Sequence, residues 1–314
     1  MLRFFVARLT LIVVTLLVVS VAIFAIVAAL PGDAAHAKLG QGATAKNLKL
    51  LRAEMGLDKP HHERYLIWIG GVLQGDFGTS LISGEPLSKT LPRRIKHSLY
   101  LAVFALMLGI PAAIIAGVYA GVRPNSLLDR IVSMTSLVGL SMPEFVTGVL
   151  LMYVLSSTFH LLPSASLILP GTSPLTRPEI LVMPALTLTG VLFAYIMRMT
   201  RANVMEVMET NYVRTAILKG LPMRRVIIRH VLPNAMLPTI TVIAMNFGWM
   251  LGGLIIVENV FAYPGLGQLL LRSITTRDVV MLESLALIVA GTYALSNLVA
   301  DLAYAAIDPR IRLG

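Results

Sequence analysis

Cysteine is absent from the 314 residues. No disulfide, thiolate metal site or cysteine nucleophile is available to this chain. Charge is scarce as well. Charged residues make up 13% of the sequence, about half of the roughly 25% usual in soluble domains. Acidic residues are the scarcer sign, 16 against 26 Lys and Arg, for a net charge of +10. A soluble domain of this length needs far more polar surface than that. With 56% hydrophobic residues, disordered and disulfide-scaffold classes are also excluded. What remains is a polytopic membrane protein.

Further absences narrow the chemistry. The sequence contains no Gly-x-x-x-x-Gly-Lys-Ser/Thr, no His-Glu-x-x-His and no Gly-x-Ser-x-Gly. The histidines are His36, His61, His62, His97, His160 and His230, all expected outside the spans. A serine nucleophile inside the membrane therefore lacks a general base. No metal-ligand spacing occurs, and His61-His62 reads as a solvated pair. The basic residues do not interleave with aromatics as in a nucleic-acid surface. The sequence predicts a protein that is no enzyme, carries no cofactor or metal of its own and binds no nucleic acid.

A spanning helix needs about 20 mostly apolar residues. Six such stretches are present: from Leu9 to Gly32, Leu99 to Val122, just after Arg130 to about Ser157, Ile180 to Met197, about Leu237 to Val257, and about Leu285 to Ile307. The first competes with a signal-peptide reading, since Ala35-His36-Ala37 resembles a cleavage site. Its uncharged run is too long for a typical signal core, and a retained helix is expected. Arg3, Arg8, Arg123, Arg130, Arg198, Arg201, Arg214, Lys219, Arg224, Arg225, Arg229, Arg310 and Arg312 fall on one side of this arrangement. The short loops opposite hold Arg177, Arg272 and Arg277. Both termini are thereby expected inside. The expected organisation is residues 1–32 as tail and first span, 33–97 as an outer helical segment, and 98–314 as a five-helix core with an inner loop over 198–234.

In the outer segment Thr44 is expected to cap a helix ended by Gly56, Pro60 to open another closed by Gly75, and Gly75-Asp76-Phe77-Gly78 to turn. In the inner loop a short helix over about Asn211–Leu218 precedes Gly220, a helix-ending residue. Pro222 then opens a helix whose Met223, Val226, Ile227, His230 and Val231 form one stripe. Composition alone fits either lipid contact or partner docking for this hairpin. Glu144, directly after Pro143 in the third span, reads as a pathway group, because an ionisable side chain at that depth faces a bundle interior or water. Asp301 reads as structural, capping or pairing with an Arg such as Arg310. A secondary transporter would instead use Glu144 and Asp301 as ion relays.

Tyr212-Val213-Arg214-Thr215-Ala216-Ile217-Leu218-Lys219-Gly220, followed by His230-Val231-Leu232-Pro233-Asn234-Ala235, resembles the cytoplasmic loop of ATP-binding-cassette importer permeases. Arg214-Thr215-Ala216 stands where the wider family has Glu-Ala-Ala, and His230 where it has Ile. Both departures resemble the branch that imports dipeptides, oligopeptides and nickel chelates. Leu30-Pro31-Gly32-Asp33, Met55 to Pro60, Gly75 to Ser80, Gly139 to Pro143, Val257 to Phe261 with Pro264 to Gly267, and Asp301 to Arg312 resemble further motifs of that branch, in order. Ala34 departs from a frequent Pro.

The resemblance implies an all-α type I importer permease fold of six spans. This chain would be the longer-outer-segment member of a permease pair in the bacterial inner membrane. It implies a sister permease, two ATPase subunits that bind ATP and Mg at the cytoplasmic face, and an outer solute-binding protein. The implied ATPase-coupling residues are Tyr212, Arg214, Thr215, Ala216, Lys219, Gly220, Leu232 and Pro233. Ser141, Met142, Pro143, Glu144, Asn246 and Gly248 are the expected pathway lining. The expected solute is a di- or oligopeptide, with nickel chelates, glutathione, opines and oligosaccharides as alternatives.

Overall fold

A computed structural model of the chain describes residues 2–29, 34–39, 44–169 and 172–307. The helices, in chain order, are α1 (Leu2–Ala29), α2 (Ala34–Leu39), α3 (Ala45–Glu54), α4 (His61–Leu73), α5 (Leu87–Val122), α6 (Leu127–Ser141), α7 (Glu144–Leu151, continued by a π-helical turn to Thr158) and α8 (Glu179–Met208). There follow α9 (Asn211–Leu218), α10 (Met223–Val226, then a π-turn over Ile227–Val231), α11 (Leu232–Val260), α12 (Leu266–Thr276) and α13 (Val279–Ile307). Among the described residues, five stretches are long and apolar enough to cross a membrane, or six when the bent pair α6–α7 is one span. This agrees with the all-α polytopic expectation. The motif Leu30–Asp33 and the proposed Arg310 partner of Asp301 lie outside the described residues.

Two expectations about the spans change. The third span is broken: α6 and α7 meet at 113°. Met142, as the residue before a proline, takes extended backbone (φ −92°, ψ 130°) because the α region clashes with the Pro143 ring. Pro143 then caps α7, whose first residue is Glu144. The second span belongs to a longer helix. At 36 residues α5 is about 54 Å long, well beyond a hydrocarbon layer of about 30 Å. His97 falls within that helix, two residues before the apolar run from Leu99, and His230 lies in the π-turn before α11.

The chain divides into two compact units, with boundaries inside α5 and α13. In the first (1–98 and 264–295) the outer segment folds as the sequence predicts. The Thr44 hydroxyl accepts from Asn47 N at 3.3 Å, starting α3. Pro60 precedes α4, and Gly56, Gly75 and Gly78 adopt positive φ where the helices and turn end. Asp76 closes that turn by accepting from Gly78 N at 2.9 Å. Buried Asp278 ties the segment down, accepting from the Ser80 hydroxyl and from Leu81 N. A small core of Leu87, Leu91, Leu266, Leu269 and Leu285 completes the unit.

The second unit (99–263 and 296–314) packs around α8, which is its most buried helix. A row of small residues on α5, Ala105, Gly109, Ala113, Gly117 and Gly121, recurs every fourth position. A Cβ on Gly117 would stand 2.6 Å from Met197 O, and one on Gly121 2.8 Å from Arg201 O. Backbone therefore meets backbone, as small-xxx-small faces allow in membranes. Pro184 inside α8 leaves the Ile180 carbonyl without its helical donor. The buried Ser166 hydroxyl donates to it at 2.6 Å, while Ser166 N donates to Phe261 O at 2.8 Å. One residue thus joins the start of α8 to the end of α11.

Candidate functional site: a basic hairpin and a broken span

Between α8 and α11 the chain makes a hairpin with its own core. Val213, Ala216, Val226 and Val231 are buried together with Val204 and Ala235, and Leu221 packs against them. Burying one such Val contributes about 1.5–3 kcal/mol where the alternative is water. The predicted short helix coincides with α9, Asn211–Leu218. Its outer face is Tyr212, Arg214, Thr215, Ile217 and Leu218, all exposed. Leu218 is 81% exposed, the largest value among the large apolar side chains of the described residues.

Gly220 ends α9 in the left-handed region, φ +75°. Gly220 N donates to Ile217 O at 2.9 Å and Leu221 N to Ala216 O at 3.4 Å. This is the Schellman pattern, with the accompanying apolar contact of Leu221 on the α9 core. A Cβ at Gly220 would meet nothing within 4 Å. The glycine is required here by φ, not by crowding within the chain. Lys219 is the C-cap residue.

The second limb differs from the expected amphipathic helix. After Pro222, α10 lasts one turn and passes into the π-turn Ile227–Val231. Pro233, near the start of α11, has no N–H to return and its ring crowds the carbonyl of Arg229. A wider turn accommodates both. Leu232 is half-buried and Pro233 exposed. The Asn234 amide donates to His230 O at 2.9 Å, and the Tyr212 hydroxyl reaches the same carbonyl at 3.4 Å. Arg214, Lys219, Arg224, Arg225 and Arg229 are all exposed, so the hairpin offers a basic surface surrounding a few apolar side chains.

Beside the hairpin, two polar links that sequence reading missed join α8 to α11 and α8 to α6. The Asn203 amide of α8 donates to Ala235 O and to the Thr239 hydroxyl of α11, each at 3.3 Å. Arg201 of α8 grips Asp129 of α6 in a two-pronged pair, Nε–Oδ1 2.6 Å and Nη2–Oδ2 3.0 Å. Asp129 is 3% exposed and also accepts from Asn125 N and the Ser133 hydroxyl. Ser126-x-x-Asp129 is a capping signal visible in the sequence: the Ser126 hydroxyl accepts from Asp129 N at 3.2 Å. Nothing local to either residue announces Arg201 as the partner.

The expected pathway residues divide. Ser141, Met142, Pro143 and Glu144 form the corner between α6 and α7. Ser141 donates back to Leu137 O at 2.9 Å. The Glu144 carboxylate lies against α11 at Gly253: a Cβ there would stand 2.6 Å from both carboxylate oxygens. Gly253 is the residue the sequence reading lacked. The Gly252-Gly253 pair in an apolar helix was the available signal. Asn246 of α11 donates to its own helix at Val242 O, 2.8 Å, and Gly248 is buried. Gly148 of α7 meets the end of α11 as well, its Cβ position 3.1 Å from Val260.

Comparison with known proteins is consistent along the chain. Residues 109–313 match the family described as "Binding-protein-dependent transport system inner membrane component". Residues 1–92 match the N-terminal family of the same transport-system membrane components. The chain is 36% identical over 312 residues to the glutathione transport system permease protein GsiC of Salmonella choleraesuis (strain SC-B67), covering 99% of each chain. GsiC of Escherichia coli (strain K12) gives the same identity over 312 residues and the same 99% coverage of both chains.

Proposed function

Because this chain belongs to the family of binding-protein-dependent transport system inner membrane components, a multi-pass bacterial inner-membrane family that works with ATPase and solute-binding partners, we propose that it carries a small peptide across that membrane. The permease role follows from the family. The finer reading concerns how the chain is driven and what it moves. Here it pairs with a sister permease, and two ATPase subunits holding ATP and Mg dock at its cytoplasmic face; the reading agrees with a sequence that carries no Gly-x-x-x-x-Gly-Lys-Ser/Thr.

The observation that carries the docking part is the hairpin. Its apolar residues Ile217 and Leu218 are exposed on a short helix whose own core is complete. Arg214, Lys219, Arg224 and Arg225 surround them. An apolar centre with a charged rim suits a protein groove. On this reading Tyr212, Arg214, Thr215, Ala216, Lys219, Gly220, Leu232 and Pro233 form the coupling element. Closure of the ATPases displaces α9. The Asn203 links pass that displacement to α8 and α11 together, and the helices move as rigid bodies. The corner Ser141–Glu144 and the α11 residues Asn246, Gly253 and, on its other side, Gly248 line the route opened by that movement.

Relatives named for glutathione transport share 36% identity with this chain. Glutathione is a γ-linked tripeptide, so it is the first peptide to test beside ordinary di- and tripeptides. The experiment is uptake of labelled glutathione and labelled dipeptides in a strain deleted for this chain, with and without restoration. Mild-detergent purification of the tagged chain is done in parallel. Recovery of an ATPase and a second permease, with restored peptide uptake, is expected. Purification of the chain alone, or uptake driven by an ion gradient, would refute the reading in favour of a secondary transporter.

A further inference from the structure

We infer that α4 is a membrane-embedded interfacial helix, its outward face of Leu66, Ile67 and Leu73 covered by lipid acyl chains. Tyr65 and Trp68 pack on α1, with Phe24 edge-on to Tyr65 (5.4 Å between ring centres) and stacked on Trp68 at 6.4 Å. The Arg64 guanidinium lies 5.8 Å from the Phe24 ring centre. The Tyr65 and Ser20 hydroxyls are hydrogen-bonded at 2.9 Å.

The depth of these contacts decides the solvent. Ser20 and Phe24 stand nine and five residues before the end of α1 at Ala29, which is about 13 Å and 7 Å inside it at 1.5 Å per residue. The α1 stretch Arg8–Ala29 is apolar enough to span. Whatever packs beside Ser20 and Phe24 therefore shares the depth of the apolar run. Interfacial amphipathic helices bury their apolar face about 5–10 Å into the boundary between headgroups and chains; the Phe24 contact of α4 falls at that depth, and the Ser20–Tyr65 contact lies a few Å deeper.

The residues of α4 fit this position. Leu66, Ile67 and Leu73 are 64%, 59% and 80% exposed, on the side away from Trp68. α1 presents Val18, Val21 and Ile26, also exposed, around the parts of its surface turned away from Ser20 and Phe24. The opening His61, His62 and Glu63 are exposed and polar, suited to headgroups, and Tyr65 and Trp68 are the aromatic types enriched at that level. The arrangement also explains Ser20. A hydroxyl in the apolar run would face hydrocarbon; instead it is fully buried, donates to Leu17 O at 2.8 Å and meets Tyr65.

The absence of cysteine makes the test direct. Single cysteines at Glu63, Leu66, Ile67 and Leu73 carry a nitroxide in the full-length chain, purified with its co-expressed partners and reconstituted in phosphatidylcholine–phosphatidylglycerol vesicles. Power saturation compares oxygen, which concentrates in lipid, with a water-soluble nickel chelate. At 66, 67 and 73 oxygen collisions should exceed nickel collisions several-fold, with the order reversed at 63. A second measurement leaves α4 intact. The chain has two tryptophans, so W249F leaves Trp68 as its one tryptophan; the same complex carrying W68F and W249F supplies the partners' emission to subtract, and lipids brominated high on the acyl chain should quench the remaining Trp68 signal strongly. Nickel-dominated relaxation at 66, 67 and 73 with no bromine quenching would overturn the inference. So would shielding of these sites that develops only when the solute-binding protein is added, since a protein then covers the face.

Discussion

Replacing Gly220 by Ala, Asn, Asp and Val separates two reasons for a glycine at the tip of the hairpin. With φ at +75°, any side chain incurs the left-handed penalty of roughly 1–2 kcal/mol, smallest for Asn and Asp and largest for a β-branched residue. Because a Cβ meets nothing within 4 Å in this chain, no clash adds to that figure. The strain is small against the stability of the protein, so insertion and yield should survive. It is relieved locally by unwinding the last turn of α9, which releases the Ala216 and Ile217 carbonyls from their donors. At tenfold per 1.4 kcal/mol, the intact hairpin becomes about 5- to 30-fold rarer relative to the frayed form. If the intact hairpin is what the ATPase grips, uptake and binding-protein-stimulated ATP hydrolysis in proteoliposomes should fall in the order Asn, Ala, Val. Gly220→Asp should lie below Asn, since its charge alters a surface made basic by Arg214, Lys219, Arg224 and Arg225. Graded loss by side-chain size alone, with Asn worse than Ala, would mean that the ATPase fills the space outside Gly220 and that φ is secondary. Wild-type uptake by Gly220→Val would refute the argument altogether.

Other perturbations test other parts of the molecule. Asp129→Ala leaves Arg201 without its two-pronged partner and should destabilise by about 3 kcal/mol, the lower end for a broken buried pair because Arg201 keeps some access to solvent; thermal unfolding in detergent would register it, and Asp129→Ala with Arg201→Met should recover much of the loss. Gly253→Ala puts a methyl 2.6 Å from the Glu144 oxygens, which a flexible side chain escapes by moving. Expression should stay normal while uptake shifts in the direction of Glu144→Gln, and the double variant should add little; unaltered uptake in Glu144→Gln would remove Glu144 from the route. Gly117→Leu drives a side chain into Met197 O and Thr200 and should abolish accumulation of folded protein, whereas Gly252→Ala, with open space around it, should be tolerated; immunoblots of membranes decide both.

Local signals were legible in the sequence and long-range ones were not. Thr44, Gly56, Pro60, Gly75 and Gly220 act at the positions the sequence assigns them, because capping and left-handed turns depend on residues within four of each other. The apolar runs marked the spans for the same reason. The corner at Met142–Pro143 is half legible: the proline marks a break, but only packing of α7 on α11 through Gly148 and Gly253 makes the helix turn instead of merely kinking. Arg201 was counted as one more interior-side charge, and its partner 72 residues away has no periodic relation to it. The π-turn before Pro233 was hidden in what read as an ordinary amphipathic stripe. Of the candidate site, the hairpin boundaries were therefore available in advance, and the contacts that fasten it to α6, α8 and α11 were not.

The row of small residues on α5 has a mechanical meaning. Between most packed helices a layer of side chains lets one element slide by rotamer changes. Between α5 and α8, at Gly117 and Gly121, that layer is one-sided: α8 supplies the short β-branched Thr200 and Val204, and its Met197 and Arg201 carbonyls face the α5 main chain. The two helices have little lubricant, and a shift of one against the other drives these side chains and carbonyls against main chain. Any lever acting on α8 therefore carries α5 with it, and the part set in motion is a double beam of two helices instead of a single rod.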